Sequence, residues 1–403
     1  MFLLEGEGKI TKGTTMAEPG ASQILNHHAT VGRRFSYERA VNELLAGTDI
    51  KINGSRPWDI RVHDERFFHR IAAQGTLGAG ESYMDAWWDC EQLDEMLTRI
   101  LRHDIEQRLR SPRGVLLAIT ARLINMQSRR RAFRVGKQHY DLGDDLYERM
   151  LDPRMIYTCA YWENMQSLDA AQEAKLDLVA RKIGVKNGMR VLDIGCGWGG
   201  AAQFMAECHG ASVTGVTVSR NQQLTAQKRC AGLPVDILLQ DYRSMSGNFD
   251  AIYSLGMFEH VGVRNYRTYL KKARELLRPD GLFLLHTIGG NRSSVATDPW
   301  IEKYIFPNGQ IPSLAQIAAA AEGLWVIEDV HSFGVDYDRT LMAWSDNFER
   351  HWPEIAARYG ERFRRMWHFW LMASAANFRA RKTQLWQIVM SPKGVAGGYR
   401  AVR

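Results

Sequence analysis

The chain has 403 residues, 45% hydrophobic and 24% charged, with a net charge of +7. This is an ordinary globular composition with material for two or three domains, and its positive balance favours an anionic partner, membrane surface or nucleic acid, without choosing between them. The five cysteines (Cys90, Cys159, Cys196, Cys208, Cys230) are scattered with no Cys-x-x-Cys pair, which argues against a disulfide framework or a zinc site and fits a reducing cytoplasm. No metal is expected. Met1 to Leu4 is too short an apolar stretch for a signal peptide, and no segment approaches the roughly 18 apolar residues of a membrane span. Any membrane contact is expected from outside.

Residues 1–33 are rich in Gly, Thr, Ser, Glu and His, the composition of a mobile tail, in which His27-His28 reads as a solvated pair. Residues 34–101 read as a small α+β domain. Tyr37 to Ala46 has the apolar spacing of a helix. Ile50 to Ile52 and Asp59 to Val62 alternate like short strands, and Phe67 to Ala73 is helical again. Trp87 and Trp88 suit either an acyl chain or, more simply, a small core. Between Arg99 and Lys137, eleven basic residues face only Asp104 and Glu106. With the apolar run Val115 to Met126, this reads as a basic helical linker over 102–138, suited to an anionic bilayer. Nucleic acid would fit the charge, but no nucleic-acid motif accompanies it. From His139 to Trp162 the chain is dense in aromatic and polar groups, more like a ligand cover than a core helix.

Val191-Leu-Asp-Ile-Gly-Cys-Gly-Trp-Gly-Gly200 then reads as a buried strand, a glycine turn and a helix N-terminus. Gly195, Gly197 and Gly199 allow a sharp turn and close approach to a ligand, and the free N–H groups beyond suit a carboxylate or polar group. The spacing is not the Gly-x-Gly-x-x-Gly of dinucleotide folds; it resembles the first motif of S-adenosylmethionine (SAM) dependent methyltransferases. Strands at 212–218, 235–239, 249–254 and 282–288 alternate with helices at 168–183, 221–230 and 265–277. That order gives an α/β fold, a Rossmann-like parallel sheet covered on both faces. Ligands in such sheets sit beyond the carboxyl ends of the strands, where Gly195, Thr217, Asp241, Glu259 and His286 fall. No acid follows the second strand, so Thr217 and Gln222 are the candidates for ribose and Asp241 for the adenine amino group. From Ser313 onward the chain reads as helical and aromatic, with strand-like breaks at 325–330 and 387–390. Its Trp367, Phe369, Trp370, Met372, Phe378 and Trp386 would build an apolar wall, most of it core.

His139 to Gly143, Cys159-Ala-Tyr-Trp162, Asp193 to Gly199, Gly256-Met-Phe-Glu-His-Val-Gly262, His286-Thr-Ile-Gly289, Asp298-Pro-Trp-Ile301, Tyr304 to Gly309, and Asp336-Tyr-Asp338 through Met342-Ala-Trp344 together resemble the bacterial cyclopropane-fatty-acyl-phospholipid synthases, from about Val41 to Arg403. The resemblance implies a catalytic domain over 139–403 that transfers a methylene from SAM to the cis double bond of unsaturated phospholipid acyl chains. It implies a carbocation deprotonated by bound bicarbonate, held by Cys159, Glu259, His286, the Ile288 backbone and Tyr337. SAM would be held by Tyr157, Thr158, Asp193, Gly195, Cys196, Gly197, Gly199, Thr217, Ser219, Gln222, Asp241 and Tyr242. The family also implies a homodimer, cytoplasmic and peripherally attached to the inner face of the membrane through its N-terminal domain. One position departs: Ser374 stands where some accounts of the family give a cysteine a catalytic role, and the proposed chemistry needs no covalent thiol there. Non-catalytic lipid binding, RNA methylation, and sterol or small-molecule methylation are the rival readings, with methyl branching of a fatty acid the nearest rival.

Overall fold

The computed structural model describes residues 37–103 and 143–403. The expected tail, the linker from residue 104 onward and His139 to Leu142 lie outside them.

The N-terminal unit begins with helix α1 (37–45). The two strands expected next reduce to one isolated bridge, Ile52 to Ile60, and a two-residue strand β1 (Arg61–Val62). The buried Asp59 is the reason. Its Oδ1 accepts from Lys51 N–H at 2.8 Å and its Oδ2 from Arg56 N–H at 3.1 Å, so a side chain takes backbone donors that a ladder would use. Helix α2 (Arg66–Gln74), helix α3 (Thr76–Met84), strand β2 (Trp88–Asp89) and helix α4 (Leu93–Arg102) follow. β2 pairs with β1 antiparallel. α3 runs straight through Gly78 and Gly80. These glycines are needed for close approach: a Cβ at Gly80 would strike the Trp300 indole, and one at Gly78 the Arg70 carbonyl. Trp88 is buried against Phe67, Tyr83 and Phe369. Trp87 lies under the Arg66 and Arg70 guanidinium groups at 4.5 and 4.7 Å. Both tryptophans pack.

After helices α5 (Asp144–Met150) and α6 (Leu168–Lys182) comes the alternating core: β3 (Arg190–Ile194), α7 (Gly200–His209), β4 (Ser212–Thr217), α8 (Arg220–Arg229), β5 (Val235–Leu239), β6 (Phe249–Leu255), α9 (Tyr266–Leu276) and β7 (Leu277–Gly290). The C-terminal part adds α10 (Pro299–Tyr304), α11 (Leu314–Ala321), β8 (Val326–Ser332), the long helices α12 (Val335–Tyr359) and α13 (Glu361–Arg379), and β9 (Thr383–Ser391). The strands form a seven-stranded sheet in the order β5-β4-β3-β6-β7-β9-β8. The first five are parallel; β9 runs antiparallel to both β7 and β8. The fold is thus the expected Rossmann-like α/β sheet. Asp280-Gly281 belongs to a bulge inside β7: Leu277 pairs with Phe249 and Leu282 with Ala251, so the extra residues crowd opposite Asp250.

Alternate residues face opposite sides of the sheet. Leu192, Ile252, Phe283 and Leu285 belong to one buried layer; Val191, Val213, Ala251, Tyr253 and Leu284 belong to the other. A third cluster runs from Val41 through Trp88, Tyr147, Trp300 and Trp344 to Trp367 and Leu385. The N-terminal unit therefore shares its core with α12 and α13. Charged anchors reinforce that join. Arg379 bridges Asp338 at 2.8 Å and Asp94 at 2.6 Å, and Arg365 reaches Asp89 at 2.6 Å. Among the described residues no helix is long and apolar enough to cross a membrane.

Candidate active site

Two cavities open at the carboxyl ends of the parallel strands. The first, about 180 Å³, is built on the turn from β3 into α7. Gly195, Gly197 and Gly199 have φ of 91°, 53° and 81°, values that carry a steric cost for any residue with a Cβ. At Gly195 such a carbon would meet the Met257 side chain at 2.8 Å, whereas at Gly197 it would point into open space, the cavity itself. The backbone at Gly197 is therefore bare where a ligand approaches. Tyr157, Thr158, Asp193, Gly195, Cys196, Gly197, Thr217, Ser219, Gln222, Asp241 and Tyr242 all line this cavity. Gly199 does not line it. It starts α7 and faces Ala226 of α8, leaving room for that helix.

The polar residues here are already organised. Thr217 Oγ1 donates to Gln222 Oε1 at 2.8 Å and accepts from Ser219 N–H at 3.2 Å, while Ser219 caps α8 through Gln222 N–H. The Asp241 carboxylate is gripped by Arg243, through Nη2 at 2.6 Å and Nε at 2.8 Å. A ligand amino group would have to use its remaining lone pairs. Burial pushes the Asp193 carboxyl up to about 7, with Lys175 pulling the other way. This lining fits an adenosyl ligand. It offers a glycine cradle with a helix N-terminus beyond it and hydroxyl and amide groups on the second strand. Asp144, from α5, ties the loop to its surroundings. It accepts from Trp198 Nε1 at 2.9 Å, Asn221 Nδ2 at 2.6 Å and Thr225 Oγ1 at 2.7 Å.

The second cavity, about 340 Å³, shares Tyr157, Thr158, Gly256 and His260 with the first. Its walls include Ile301, Phe306, Leu341, Trp344, Trp370 and Phe378, and Glu259, Ile288, Tyr337 and Ser374 also line it. Tyr157 stacks its ring close to Trp344 and Trp370, at 5.3 and 6.0 Å between centroids. These aromatic and aliphatic side chains give the cavity a largely apolar wall, of the kind that holds an apolar ligand.

Of the five residues expected to act as bicarbonate ligands, three line this cavity and two stand behind it. Glu259 Oε1 accepts from Ile288 N–H at 2.7 Å, and Oε2 is buried without a hydrogen-bond partner. Burial pushes its carboxyl up to about 7, against the pull of the Ile288 amide. Tyr337 stacks on Phe378. Cys159 is 0% exposed, and burial holds its thiol well above its ordinary range; it is not a thiolate. His286 is 1% exposed and does not line the cavity. Burial, with Lys175 and Lys182 adding to it, holds His286 neutral, and its Nε2 lacks a partner. The set fits a small anion in part. A buried carboxyl and a neutral imidazole offer polar atoms, but the Ile288 amide is already used by Glu259.

Two residues in this region are absent from the sequence-based set. Lys175, fully buried on α6, donates from Nζ to Thr158 Oγ1 at 2.6 Å, and burial brings its amine down to about 8. Gln387 of β9 sits directly across from His286, Nε2 to Nδ1 at 3.3 Å. The period of α6 puts Lys175 on the buried face with Leu168, Ala171 and Val179, but a lysine is by type a surface residue, and only the pairing of β9 with β7 brings Gln387 to the histidine.

Residues 127–388 match the family model described as mycolic acid cyclopropane synthetase. The cyclopropane-fatty-acyl-phospholipid synthase of Escherichia coli K12 is 54% identical over 369 residues, 91% of this chain and 96% of that protein. The tuberculostearic acid methyltransferase UfaA1 of Mycobacterium tuberculosis is 33% identical over 81% of each chain. Among solved structures, the mycolic acid cyclopropane synthase CmaA1, complexed with SAH and CTAB, superposes with a TM-score of 0.59 at 32% identity. That match covers 64% of this chain and 97% of CmaA1.

Proposed function

The chain belongs to the cyclopropane-fatty-acyl-phospholipid synthases, SAM-dependent methyltransferases, and on that premise we propose that its substrate is a phospholipid with a cis-unsaturated acyl chain and that a bicarbonate serves as base. The carrying observation is the common wall. A polar cavity fit for an adenosyl ligand and an apolar cavity fit for an acyl chain share Tyr157, Thr158, Gly256 and His260.

SAM supplies an electrophilic methyl carbon. The protein must aim an alkene at it, because an alkene is a weak nucleophile that reacts only when held close in a dry pocket. The alkene electron pair forms the new C–C bond as the C–S bond breaks, and positive charge is left on the acyl chain. The rings of Tyr157, Trp344 and Trp370 face that charge. A proton then leaves the added methyl, and its C–H electrons close the three-membered ring. Bicarbonate would supply the base for that proton. Glu259, Ile288 and Tyr337, which line the cavity, would hold it, with His286 and Cys159 as the further ligands that the family resemblance implies. Residues 34–101 form the lipid-associated domain in this reading, 102–138 the basic linker and 139–403 the catalytic domain. The protein works as a homodimer on the cytoplasmic face of the membrane.

The test is incubation with methyl-labelled SAM and dioleoyl phospholipid vesicles, followed by mass and NMR analysis of the lipid. A labelled ring methylene, lost on carbonate depletion and restored by bicarbonate, is the expected result. A branched methyl or methylene product, or unlabelled lipid, would overturn the reading.

A further inference from the structure

The acyl cavity has a rim that its chemistry does not use. Arg292 lines the cavity yet is exposed, so it stands at the mouth, and no ion pair or side-chain hydrogen bond engages it among the described residues. The neighbouring Asn291 donates from Nδ2 to the carbonyl of Arg381 at 2.7 Å. β7 pairs Gly290 with Thr383, which also lines the cavity. The turn carrying Arg381 and Lys382 is thereby held against the same edge; Arg381 does not line the cavity itself but is exposed beside it, and its guanidinium spends one donor, Nη2 to Gln384 Oε1 at 2.8 Å, leaving Nε and Nη1 for an anion. Ser293 Oγ meets Ser313 Oγ at 2.7 Å, and Ser313 is the N-cap of α11. The positive end of that helix lies under the loop and adds to the potential of the three basic side chains.

Two acidic groups share the cavity with this charge. Besides Glu259, the one acidic residue among those lining the cavity is Asp298, and its Oδ1 is occupied as the N-cap of α10, accepting from Trp300 and Ile301 N–H. Beside the cations, Ile311 and Leu314 are 39% and 38% exposed, and Ile311 itself lines the cavity. Large aliphatic side chains left in water next to basic ones are the pattern of a surface that meets the headgroup boundary of a bilayer.

We propose that Arg292, with Arg381, binds the headgroup phosphate of the phospholipid while its acyl chain occupies the cavity, and that Ile311 and Leu314 seat this rim in the bilayer surface. The proposal rests on the phospholipid reading above and adds to it a recognition site outside the reacting centre. A guanidinium matches the planar pair of phosphate oxygens that all phospholipids share, so this site reads the phosphate and not the rest of the headgroup.

The experiment compares dioleoyl phosphatidylethanolamine with dioleoylglycerol, each in the same nonionic detergent micelles, for wild type and for Arg292→Ala/Arg381→Ala. The double variant should raise KM for the phospholipid roughly tenfold relative to KM for the diacylglycerol, as expected for losing phosphate contacts. Arg292→Lys/Arg381→Lys should recover most of that ratio. Calorimetric SAM affinity checks that the variants are folded. An unchanged KM ratio, or equal losses on both lipids, overturns the phosphate site while leaving the phospholipid reading intact. A wild type that ignores the phospholipid but modifies the diacylglycerol overturns that reading and this one together. Inhibition of wild type by inorganic phosphate as strongly as by soluble glycerophosphodiester would mean that the rim binds phosphate generally, and would overturn its assignment to a lipid.

Discussion

The two cavities that meet at Tyr157 and Thr158 are made by different means. The first is the more local: the end of β3 with its glycine turn, the ends of β4, β5 and β6, and the segment 155–158 supply its lining. The second draws on residues from 157 to 383, and its walls come from α10, α12 and α13 as well as the sheet. The first binds through backbone shape and short polar side chains, the second through the bulk of aromatic ones. Damage to one should therefore leave the other standing.

The largest expected effect is on chemistry alone. Glu259 lines only the second cavity. Glu259→Ala should cut turnover by about 10²-fold or more, as loss of base positioning does, with SAM affinity by calorimetry unchanged. A parallel loss of SAM binding would show that the cavities are coupled. Next comes Gly197→Val, which touches only the first. Its φ of 53° costs a β-branched residue about 1–2 kcal/mol, a modest loss of stability. The added side chain fills the cradle, so SAM affinity should fall by about 10²-fold, roughly 3 kcal/mol. Normal SAM affinity in a folded Gly197→Val protein would move the ligand elsewhere.

A third test uses pH and a variant to isolate the second cavity's carboxyl, because Asp193 of the first is also raised to about 7. The buried Glu259 carboxyl is raised from 4.5 to about 7 in the folded protein, so the fold holds its proton more tightly than the unfolded chain does. Its contribution to stability is complete below pH 4.5 and is lost as pH rises through 7, at most about 3 kcal/mol. Urea midpoints measured from pH 4.5 to 8 should fall less steeply for Glu259→Gln than for wild type. Identical slopes would mean that the carboxyl titrates normally. The smallest effect is expected at Ser374, which lines the second cavity without charge or a nucleophilic role. Ser374→Ala should keep turnover within about twofold; an inactive, folded variant would place α13 in the chemistry.

The same contrast explains what could be read from the sequence. The glycine turn, Thr217 and Asp241 are legible because strand, turn and helix signals lie within a few residues of the groups they position. Gly199 was overread: its spacing belongs to the motif, but its space is taken by Ala226. Around the second cavity, Glu259 and His286 are legible as strand-end residues, Tyr337 follows only from the resemblance, and Gln387 is not legible because its relation to His286 exists only through strand pairing. Gly78, Gly80 and Gly281 show why the rest is hard to read. Local rules take glycine as punctuation, whereas here each makes room for a neighbour: Trp300, Arg70 or the Asp250 carbonyl.

Lys175 has a use beyond its hydrogen bond to Thr158. Its amine is sealed behind the partition between the chambers, and with a value near 8 a useful share of it is uncharged and nucleophilic at mildly alkaline pH. Because Lys175 is 0% exposed, an acylating reagent reaches it only when the structure around it opens locally. The rate at which Lys175 is modified is therefore a clock for partition breathing. Occupying either chamber should slow that clock, so one mass-spectrometric peptide could time the motion without a label or a second structure.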